Sequence, residues 1–268
     1  GGQVKPGDTA QAIEKLDFAG VNPLTGPIYV KGAKPGDALA VEILHFADKG
    51  WGWTGIIPGF GLLADDFPDP YLKIWELGDA TTEFKAGIHV PVEPFCGEMG
   101  VAPGCDGPMP TPVPDVHGGN LDTRGLKAGS TLYLPIFREG ALFSCGDAHA
   151  AQGDGEVCGT GIESDYDVTL RFNLIKDANL AEPRFTVASP LTTADSVGYY
   201  CTTSLGNDLY VAAQKALRYM IEHLVEHHHL APPEAYALCS VAADLKISQI
   251  VDASNFGVSL YMPKSLFK

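Results

Sequence analysis

The chain has 268 residues, enough for one large domain or two smaller ones, and 45% of them are hydrophobic. Its 31 glycines and 20 prolines indicate a loop-rich globular protein. A formal net charge of -15 argues against the basic surface that nucleic-acid partners require. The six cysteines contain no C-x-x-C pair, so we expect free thiols rather than disulfides.

Membrane and export signals are missing from the sequence as it stands. No apolar run approaches the length of a membrane span, and no signal peptide is visible. We therefore expect a cytoplasmic protein with no membrane partner.

The first part of the chain is predicted to consist mainly of short strands separated by turns. Residues 4–45 are expected to form strands apart from 22–27, where Pro and Gly indicate a loop. The aromatic and Gly-rich segment 51–61 is expected to pack beneath a loop. Period-two alternation or apolar composition predicts further strands at 72–77, 132–137, 141–144 and 167–174.

The pattern changes near residue 206, where helical spacing begins. Asn207 or Asp208 is suited to cap a helix whose apolar positions recur every three or four residues. A second short helix is predicted from Pro232 to about Ala243, followed by closing strands at 245–251 and 257–262. The fold is therefore predicted to be mainly β with two late helices. Residues 1–205 would form a mainly-β region carrying the site. Residues 206–268, a helical hairpin plus closing strands, would pack on it, and the two parts would form one integrated unit.

Three polar clusters share one composition of acids, amides and histidine spaced by small residues. They are His117/Asn120/Asp122, then Asp147/His149, then Gln152/Asp154/Glu156 with Glu163. Oxygen and nitrogen ligands of this kind suit a hard or borderline dication. Ordinary turn and cap acids are the alternative, and no spacing matches a defined zinc motif such as H-E-x-x-H.

The stretch 146–163 holds most of these groups, and two kinds of hydrolytic chemistry fit it. A metal would polarise a carbonyl, and Glu156 would act as general base and later as general acid. Alternatively, Cys145 or Cys158 would be a nucleophile with His149 as its base. No G-x-S-x-G elbow and no P-loop occurs, so serine hydrolysis and nucleotide use are disfavoured.

A histidine group near the end of the first predicted helix is a further candidate metal site. His223 and His227 are four residues apart, which places them on one helix face. We favour the simpler interpretation, polar or cationic histidines at a helix C-terminus.

Several long motifs, in order along the whole chain, resemble the acetamidase/formamidase family. The motifs lie at residues 22–27, 52–63, 97–103, 117–122, 146–163, 235–240 and 244–249. The resemblance implies a mainly β fold with sandwich-like and barrel-like parts and a smaller α/β element. It also implies a homo-oligomer, dimer or higher, that hydrolyses short aliphatic amides such as formamide and acetamide to a carboxylate and ammonia. Relative to the family, an N-terminal strand is missing and the region 15–21 is shortened.

The family motifs coincide with the polar clusters, and this gives the residue assignments. The predicted catalytic residues are Asp147, His149 and Glu156. The predicted substrate-binding residues are Trp53, Phe60, Phe95 and Gln152. The predicted ligands of a divalent metal, zinc or alternatively calcium, are His117, Asn120, Asp122, Asp147 and His149. The alternatives are a Cys-dependent amidase using Cys145 or Cys158 and a non-catalytic member that binds an amide or a metal.

Overall fold

A computed structural model of the chain describes residues 2–187, 197–251 and 255–267. Within these ranges the strands are β1 (Leu24–Ile28), β2 (Ala38–Ile56), β3 (Tyr71–Glu76), β4 (Thr81–Lys85), β5 (Ile88–Pro91), β6 (Phe95–Gly100), β7 (Gly118–Asn120), β8 (Thr131–Pro135), β9 (Phe143–His149), β10 (Glu163–Ile175), β11 (Arg184–Thr186), β12 (Tyr199–Gly206), β13 (Asp244–Gln249) and β14 (Phe256–Pro263). The α-helices are α1 (Leu209–His228) and α2 (Pro232–Ala242). The 3-10 helices are Ala10–Lys15, Phe18–Gly20 and Lys264–Leu266. The predicted fold class, mainly β with two late helices, is confirmed.

The large sheet has the strand order β11-β8-β2-β10-β9-β6-β7, with β1 added beside β9 and β3 added beside β2. Its pairs are antiparallel. Alternation explains why β10 is a strand: Val168, Leu170, Phe172 and Leu174 pack on the buried core, whereas the residues between them point to solvent. β9, at the site, lies between β10 and β6.

The late helices form a smaller α/β unit with the three-stranded sheet β12-β14-β13. Helix α1 begins where predicted, because the Asp208 carboxylate accepts a hydrogen bond of 3.0 Å from the backbone of Val211. Helix α2 begins with Pro232, which suits the first turn of a helix. Strand β12 precedes the predicted boundary at residue 206, yet it pairs with β14 along its whole length. In the described residues no helix has the length and apolar character needed to span a membrane.

Two large hydrophobic cores flank the site. One lies within the large sheet and includes Leu39, Val41 and Phe143. The other joins the helices to the large sheet and includes Trp75 and Tyr236. Tyr236 also donates a hydrogen bond of 2.6 Å to the carbonyl of Val157. The helical unit therefore helps to fix the long loop 150–162 between β9 and β10.

Three local predictions were wrong. Residues 10–15 and 18–20 form 3-10 helices rather than strands. Residues 24–28 form β1 rather than a loop, because β9 offers a partner strand that the local sequence cannot reveal. Residues 51–56 continue β2 because β3 pairs with them. A Cβ on Gly52 would lie 2.7 Å from the carbonyl oxygen of Glu163, so glycine allows this close approach.

Candidate active site

A polar cluster lies where β6, β7, β9 and β10 meet. β9 ends on His149, whose cross-strand partner is Glu163 at the start of β10. β6 places Glu98 opposite Gly146 of β9 and opposite Asn120 of β7. The long loop 150–162 returns Glu156 to the same end of the sheet. Residues far apart in the chain are thus brought together by strand register.

The centre of the cluster is the imidazole of His149, which is only 1% exposed. Its Nε2 atom lies 3.0 Å from the Glu163 carboxylate and 3.7 Å from that of Glu156. Two overlapping groups offer ligand atoms within 4.8 Å of one another, Asp122/His149/Glu156 and Asp147/His149/Glu163. One imidazole is therefore surrounded by four carboxylates.

The backbone is strained at the residues that supply these groups. Asp122, Asp147 and Glu156 have φ values of 41°, 50° and 41°, and Asn22 beside them has 51°. L-residues with side chains rarely adopt this left-handed conformation, and it costs on the order of 1–3 kcal/mol at each position. Four of the nine non-glycine residues with positive φ in the described structure lie in this cluster. Such conformations are enriched at functional sites.

Two glycines allow the chain to close tightly around His149. A Cβ on Gly97 would lie 2.5 Å from Asp122 Oδ1 and 2.6 Å from His149 Cε1. A Cβ on Gly161 would lie 2.8 Å from His149 Cδ2. Both positions therefore require glycine because of close contact with the histidine.

Hydrogen bonds orient the carboxylates from outside. The side-chain amide of Asn22 donates to Asn120 Oδ1 at 3.0 Å and to Asp147 Oδ2 at 3.1 Å. Asn120 in turn donates a short hydrogen bond to Asp122. Glu163 accepts a hydrogen bond of 2.9 Å from the backbone of Gly161. Such contacts hold side chains in the directions that a bound ion or substrate would need.

Burial perturbs the acids strongly. It raises the pKa of Glu98 to about 8, and the nearby Asp147 contributes to the shift. Burial also raises the pKa of Asp147 to about 7, and it raises the pKa of Asp122 and of Glu156 above the ordinary range. Burial opposes protonation of His149, but Glu163 and Asp147 outweigh it and raise the pKa of this imidazole.

The cluster fits a bound cation. The charges that act on its carboxyls in the described structure are those of His149 and of the other acids. Buried atoms without a hydrogen-bond partner there include Glu98 Oε2, Asp122 Oδ1, His149 Nδ1 and Gln152 Oε1. Buried carboxylates are normally paired or bound to metal, so this excess of acceptors suits a dication.

The predicted metal ligands divide into two groups. Asp122 and Asp147 each converge on His149, but in separate groups of ligand atoms, and Asn120 contacts Asp122. His117 is buried but belongs to neither group of converging ligand atoms. Burial lowers the pKa of His117, and Asp115, in the loop before β7, opposes this shift.

The predicted substrate-binding residues also divide. Phe95 is fully buried and stacks on His149, with ring centroids 5.0 Å apart. Gln152 donates a hydrogen bond of 2.8 Å to the carbonyl of Asp122. Trp53 instead packs on a small cluster with Ile13 and Ile57.

Phe60, the fourth predicted substrate contact, lies on the surface. It is 49% exposed and contacts the edge of Phe18. Its ring also covers Gly159, where a Cβ would lie 2.4 Å from the ring. The structure therefore does not bring Phe60 to the centre of the cluster.

Sequence reasoning missed Glu98 and Asn22 as site residues and gave Glu163 no role. Glu98 had a usable signal, a single acid among glycines and apolar residues in 97–103. Asn22 had none, because its contact with Asp147 spans 125 residues. The role of Glu163 depends on its register with His149.

The two cysteines considered as nucleophiles lie in different environments. Cys158 is fully buried, and burial raises the pKa of its thiol to about 11, so its reactive thiolate is suppressed. Cys145 is 7% exposed and packs in the core of the large sheet. A hydrogen bond with Cys96 lowers the pKa of Cys145 against the effect of burial.

Comparisons with known proteins agree with this architecture. A formamidase from Methylophilus methylotrophus is 28% identical in an alignment of 348 positions that covers 100% of this chain and 82% of its own length. An acetamidase from Mycolicibacterium smegmatis is 30% identical in an alignment of 239 positions that covers 65% of this chain and 59% of its own length.

Solved structures match over nearly the whole chain. A gamma lactamase from Delftia acidovorans superposes with a TM-score of 0.93 at 26% identity, covering 100% of this chain and 82% of that one. An acetamidase from Bacillus halodurans superposes with a TM-score of 0.67 at 34% identity, covering 97% of this chain and 84% of that one. The Acetamidase/Formamidase family model matches residues 1–110 and 105–268. The expected enzyme class, an amidohydrolase, is confirmed by these relatives, and the chain belongs to the Acetamidase/Formamidase family.

Proposed function

We propose that the chain hydrolyses small amides to a carboxylate and ammonia with the help of a divalent metal held by the polar cluster. The observation that carries this proposal is the set of four half-buried carboxylates around the buried His149. Asp122 Oδ1 and the nearby Glu98 Oε2 are buried without a hydrogen-bond partner in the described structure. The named relatives, a formamidase and an acetamidase, support short amides as the substrate class.

We assign the metal to His149, which both groups of ligand atoms share, and to one acid from each group, Asp122 and Asp147. When bound, a dication polarises the amide carbonyl and lowers the pKa of water. The imidazole favours zinc over calcium, which prefers oxygen ligands only. Asn120 supports Asp122, and Glu163 lies against Nε2 of His149. His117 is left out because it belongs to neither group of converging ligand atoms.

Glu156 is the residue we assign to move the proton. Its carboxylate is 20% exposed and 3.7 Å from His149, so it borders the cluster without being sealed in it. Burial and the neighbouring Asp122 raise its pKa, which suits a group that must both accept and release a proton. It takes a proton from the attacking water as the C–O bond forms. It then gives that proton to the nitrogen as the C–N bond breaks, so that ammonia leaves.

Phe95 and Gln152 are the neighbours that we expect to limit the substrate. Phe95 forms an apolar wall against His149, and the free Oε1 of Gln152 is an acceptor for an amide N–H. We keep Trp53 and Phe60 out of this role because their rings pack elsewhere.

Cyclic amides are a second candidate substrate class. The solved structure described as a gamma lactamase superposes over the whole of this chain with a TM-score of 0.93. Ring opening of a five-membered lactam breaks the same kind of C–N bond and leaves the amine attached to the product. The same residues would serve both reactions.

Turnover of a substrate panel tests the proposal. Formamide, acetamide, propionamide and a five-membered lactam are incubated with the enzyme, and ammonia or the amino acid product is measured. We expect the linear amides to be hydrolysed and Glu156→Gln to lower kcat by about 10²–10⁴-fold, the usual contribution of a general acid–base group. Asp66→Asn, at an exposed ion pair away from the cluster, is the matched control. Unchanged kcat in Glu156→Gln contradicts the role of Glu156.

The remaining alternatives are separated by the same enzyme preparation. Loss of activity on thiol alkylation, prevented by substrate, supports the cysteine mechanism at Cys145. Tight amide or metal binding without turnover across the panel supports a non-catalytic member. A cytoplasmic location and a homo-oligomer, dimer or higher, stay predictions, and light scattering measures the oligomer directly.

A further inference from the structure

Asp244 is a buried acid that the proposed reaction does not use. It is the first residue of β13 and follows α2 after a single residue, so it belongs to the smaller α/β unit. Its side chain is only 3% exposed. An acid so buried needs partners. Lys246 of the same strand lies 3.9 Å away, and the closer partners lie on the loops of the large sheet.

Arg124 is the first partner. Its guanidinium places Nη1 2.9 Å from Asp244 Oδ1 and Nη2 3.1 Å from Oδ2, a two-point contact with fixed geometry. The Arg124 side chain is itself only 12% exposed. Arg124 follows the cluster residue Asp122 by two positions. The ion pair therefore fixes the loop that leaves β7.

Asp154 is the second partner, in the loop 150–162. Its backbone N–H donates a hydrogen bond of 3.2 Å to Asp244 Oδ1, and its carboxylate lies 3.4 Å from Arg124 Nε. Asp154 lies midway between Gln152 and Glu156 in the sequence. One carboxylate thus contacts both loops that carry the cluster.

Backbone contacts strengthen the second attachment. The N–H of Leu245 donates a hydrogen bond of 2.8 Å to the carbonyl of Asp154. The N–H of Gly153 donates another of 2.8 Å to the carbonyl of Ser240. A Cβ on Gly153 would lie 1.9 Å from the carbonyl oxygen of Ala243, so the two chain segments touch directly.

We propose that Asp244 is a positioning residue, which holds the Asp122 loop and the Glu156 loop in their reactive arrangement through Arg124 and Asp154. It touches neither substrate nor metal, and it acts through these partners. This proposal rests on the proposed function for its kinetic test only. The smaller α/β unit then completes the site of the large sheet.

Kinetics of Asp244→Ala and Asp244→Asn test the proposal against a control ion pair. Asp66 pairs with Arg218 of α1 and also joins the helical unit to the rest of the chain, but both side chains are exposed, at 37% and 40%. We expect Asp244→Ala to lower kcat about 10–100-fold, as loss of a residue that orients reactive groups does. Its KM should change by less than about twofold, and Asp244→Asn should recover part of kcat because the Asp154 hydrogen bond survives. Asp66→Ala should leave kcat unchanged.

Hydrogen exchange provides a readout that does not depend on activity. Amides of 120–126 and 150–158 should exchange at least tenfold faster in Asp244→Ala than in wild type, while those of β2 stay unchanged. Asp66→Ala should leave both loops unchanged. Unchanged loop exchange in Asp244→Ala overturns the proposal, as does kcat within twofold of wild type. A wild-type protein that hydrolyses no amide contradicts the proposed function instead, and the exchange result still decides the positioning role.

Discussion

Two groups of histidine lie in opposite environments in this molecule. His149 is buried among carboxylates, with Glu163 at 3.0 Å. At the end of α1, His223 stacks on Tyr200 with centroids 3.5 Å apart, and His228 stacks on Phe267 at 3.8 Å. The first imidazole is surrounded by negative charge, whereas the second group packs against aromatic rings and other histidines.

The difference between the two groups shows in their pKa shifts. Glu163 and Asp147 raise the pKa of His149 despite its burial. Burial and the nearby His227 lower the pKa of His223, and burial and His227 also lower that of His228. A histidine in an excess of acids suits a cation site, whereas the stacked histidines contribute packing. The helix-end histidines form no group of converging ligand atoms in the described structure. The lowered pKa values of His223 and His228 favour polar rather than cationic histidines at this helix end.

The largest expected effect comes from removing the central imidazole. His149→Gln should lower kcat by more than about 10²-fold, because both groups of ligand atoms contain His149. Loss of a residue that only supports a metal ligand already costs about 10–100-fold. His223→Gln is the matched control at the other histidine group and should retain wild-type kcat. Ammonia release from acetamide measures both variants. Equal losses in the two would remove the distinction between the groups.

A smaller but still large effect is expected from Gly97→Ala. The added methyl would lie 2.5 Å from Asp122 Oδ1 and 2.6 Å from His149 Cε1, so the two groups must move apart. Misplacement of about 1 Å costs on the order of 10²-fold in rate. Gly104→Ala is the control, because its nearest neighbour is Phe137 at 3.4 Å. Steady-state kcat of the two variants decides the point, and wild-type kcat in Gly97→Ala would contradict the tight packing at His149.

The stability of the protein should depend on pH in opposite directions through the buried cluster and through the histidines at the end of α1. Burial raises the pKa of Glu98 to about 8. The folded protein, after a chelator has removed any metal, therefore holds a proton at Glu98 that the unfolded chain releases. Stability should therefore fall as pH rises from 7 to 8, by at most about 1.4 kcal/mol per pH unit for each such proton. The raised pKa of His149 acts in the same sense. The lowered pKa of His223 acts oppositely, mainly below pH 7.

Urea midpoints of chelated protein at pH 7 and pH 8 measure this effect. The midpoint should fall with pH in wild type, and Glu98→Gln should make it fall less. A midpoint that rises over this range would contradict the excess of buried acid.

The smallest effect is expected at the stacked histidines. His223→Phe keeps a ring against Tyr200 and should change the free energy of unfolding by less than about 0.5 kcal/mol. His223→Ala loses the ring contact and should cost about 0.5–1.5 kcal/mol. Urea denaturation compares the two variants. Equal destabilisation would show that the stacking contact contributes nothing.

Local signals predicted part of the structure. The cap at Asp208 and the spacing after it gave α1, because both act within one helical turn. Asp122, Asp147 and His149 could be chosen because small residues surround them. Strand register could not be predicted in the same way, since it depends on partners as distant in the chain as Ala38 and Ile175.

The missed features follow from this limit. Asn22 lies at the start of segment 22–27, which was predicted as loop, and only the pairing of β1 with β9 brings it to Asp147. Glu98 needed the pairing of β6 with β9, which places it opposite Gly146. Trp53 was predicted to bind substrate from its aromatic setting, but β2 directs it to a separate apolar cluster.

The metal content of active enzyme tests the central claim most directly. Elemental analysis and acetamide hydrolysis are measured on the same samples through exhaustive chelation and metal return, with wild type and Asp147→Asn side by side. We expect about one dication per wild-type chain, lost together with activity and restored with it, and reduced occupancy in Asp147→Asn. Full activity in wild type from which the metal has been removed would contradict a metal-dependent site at His149.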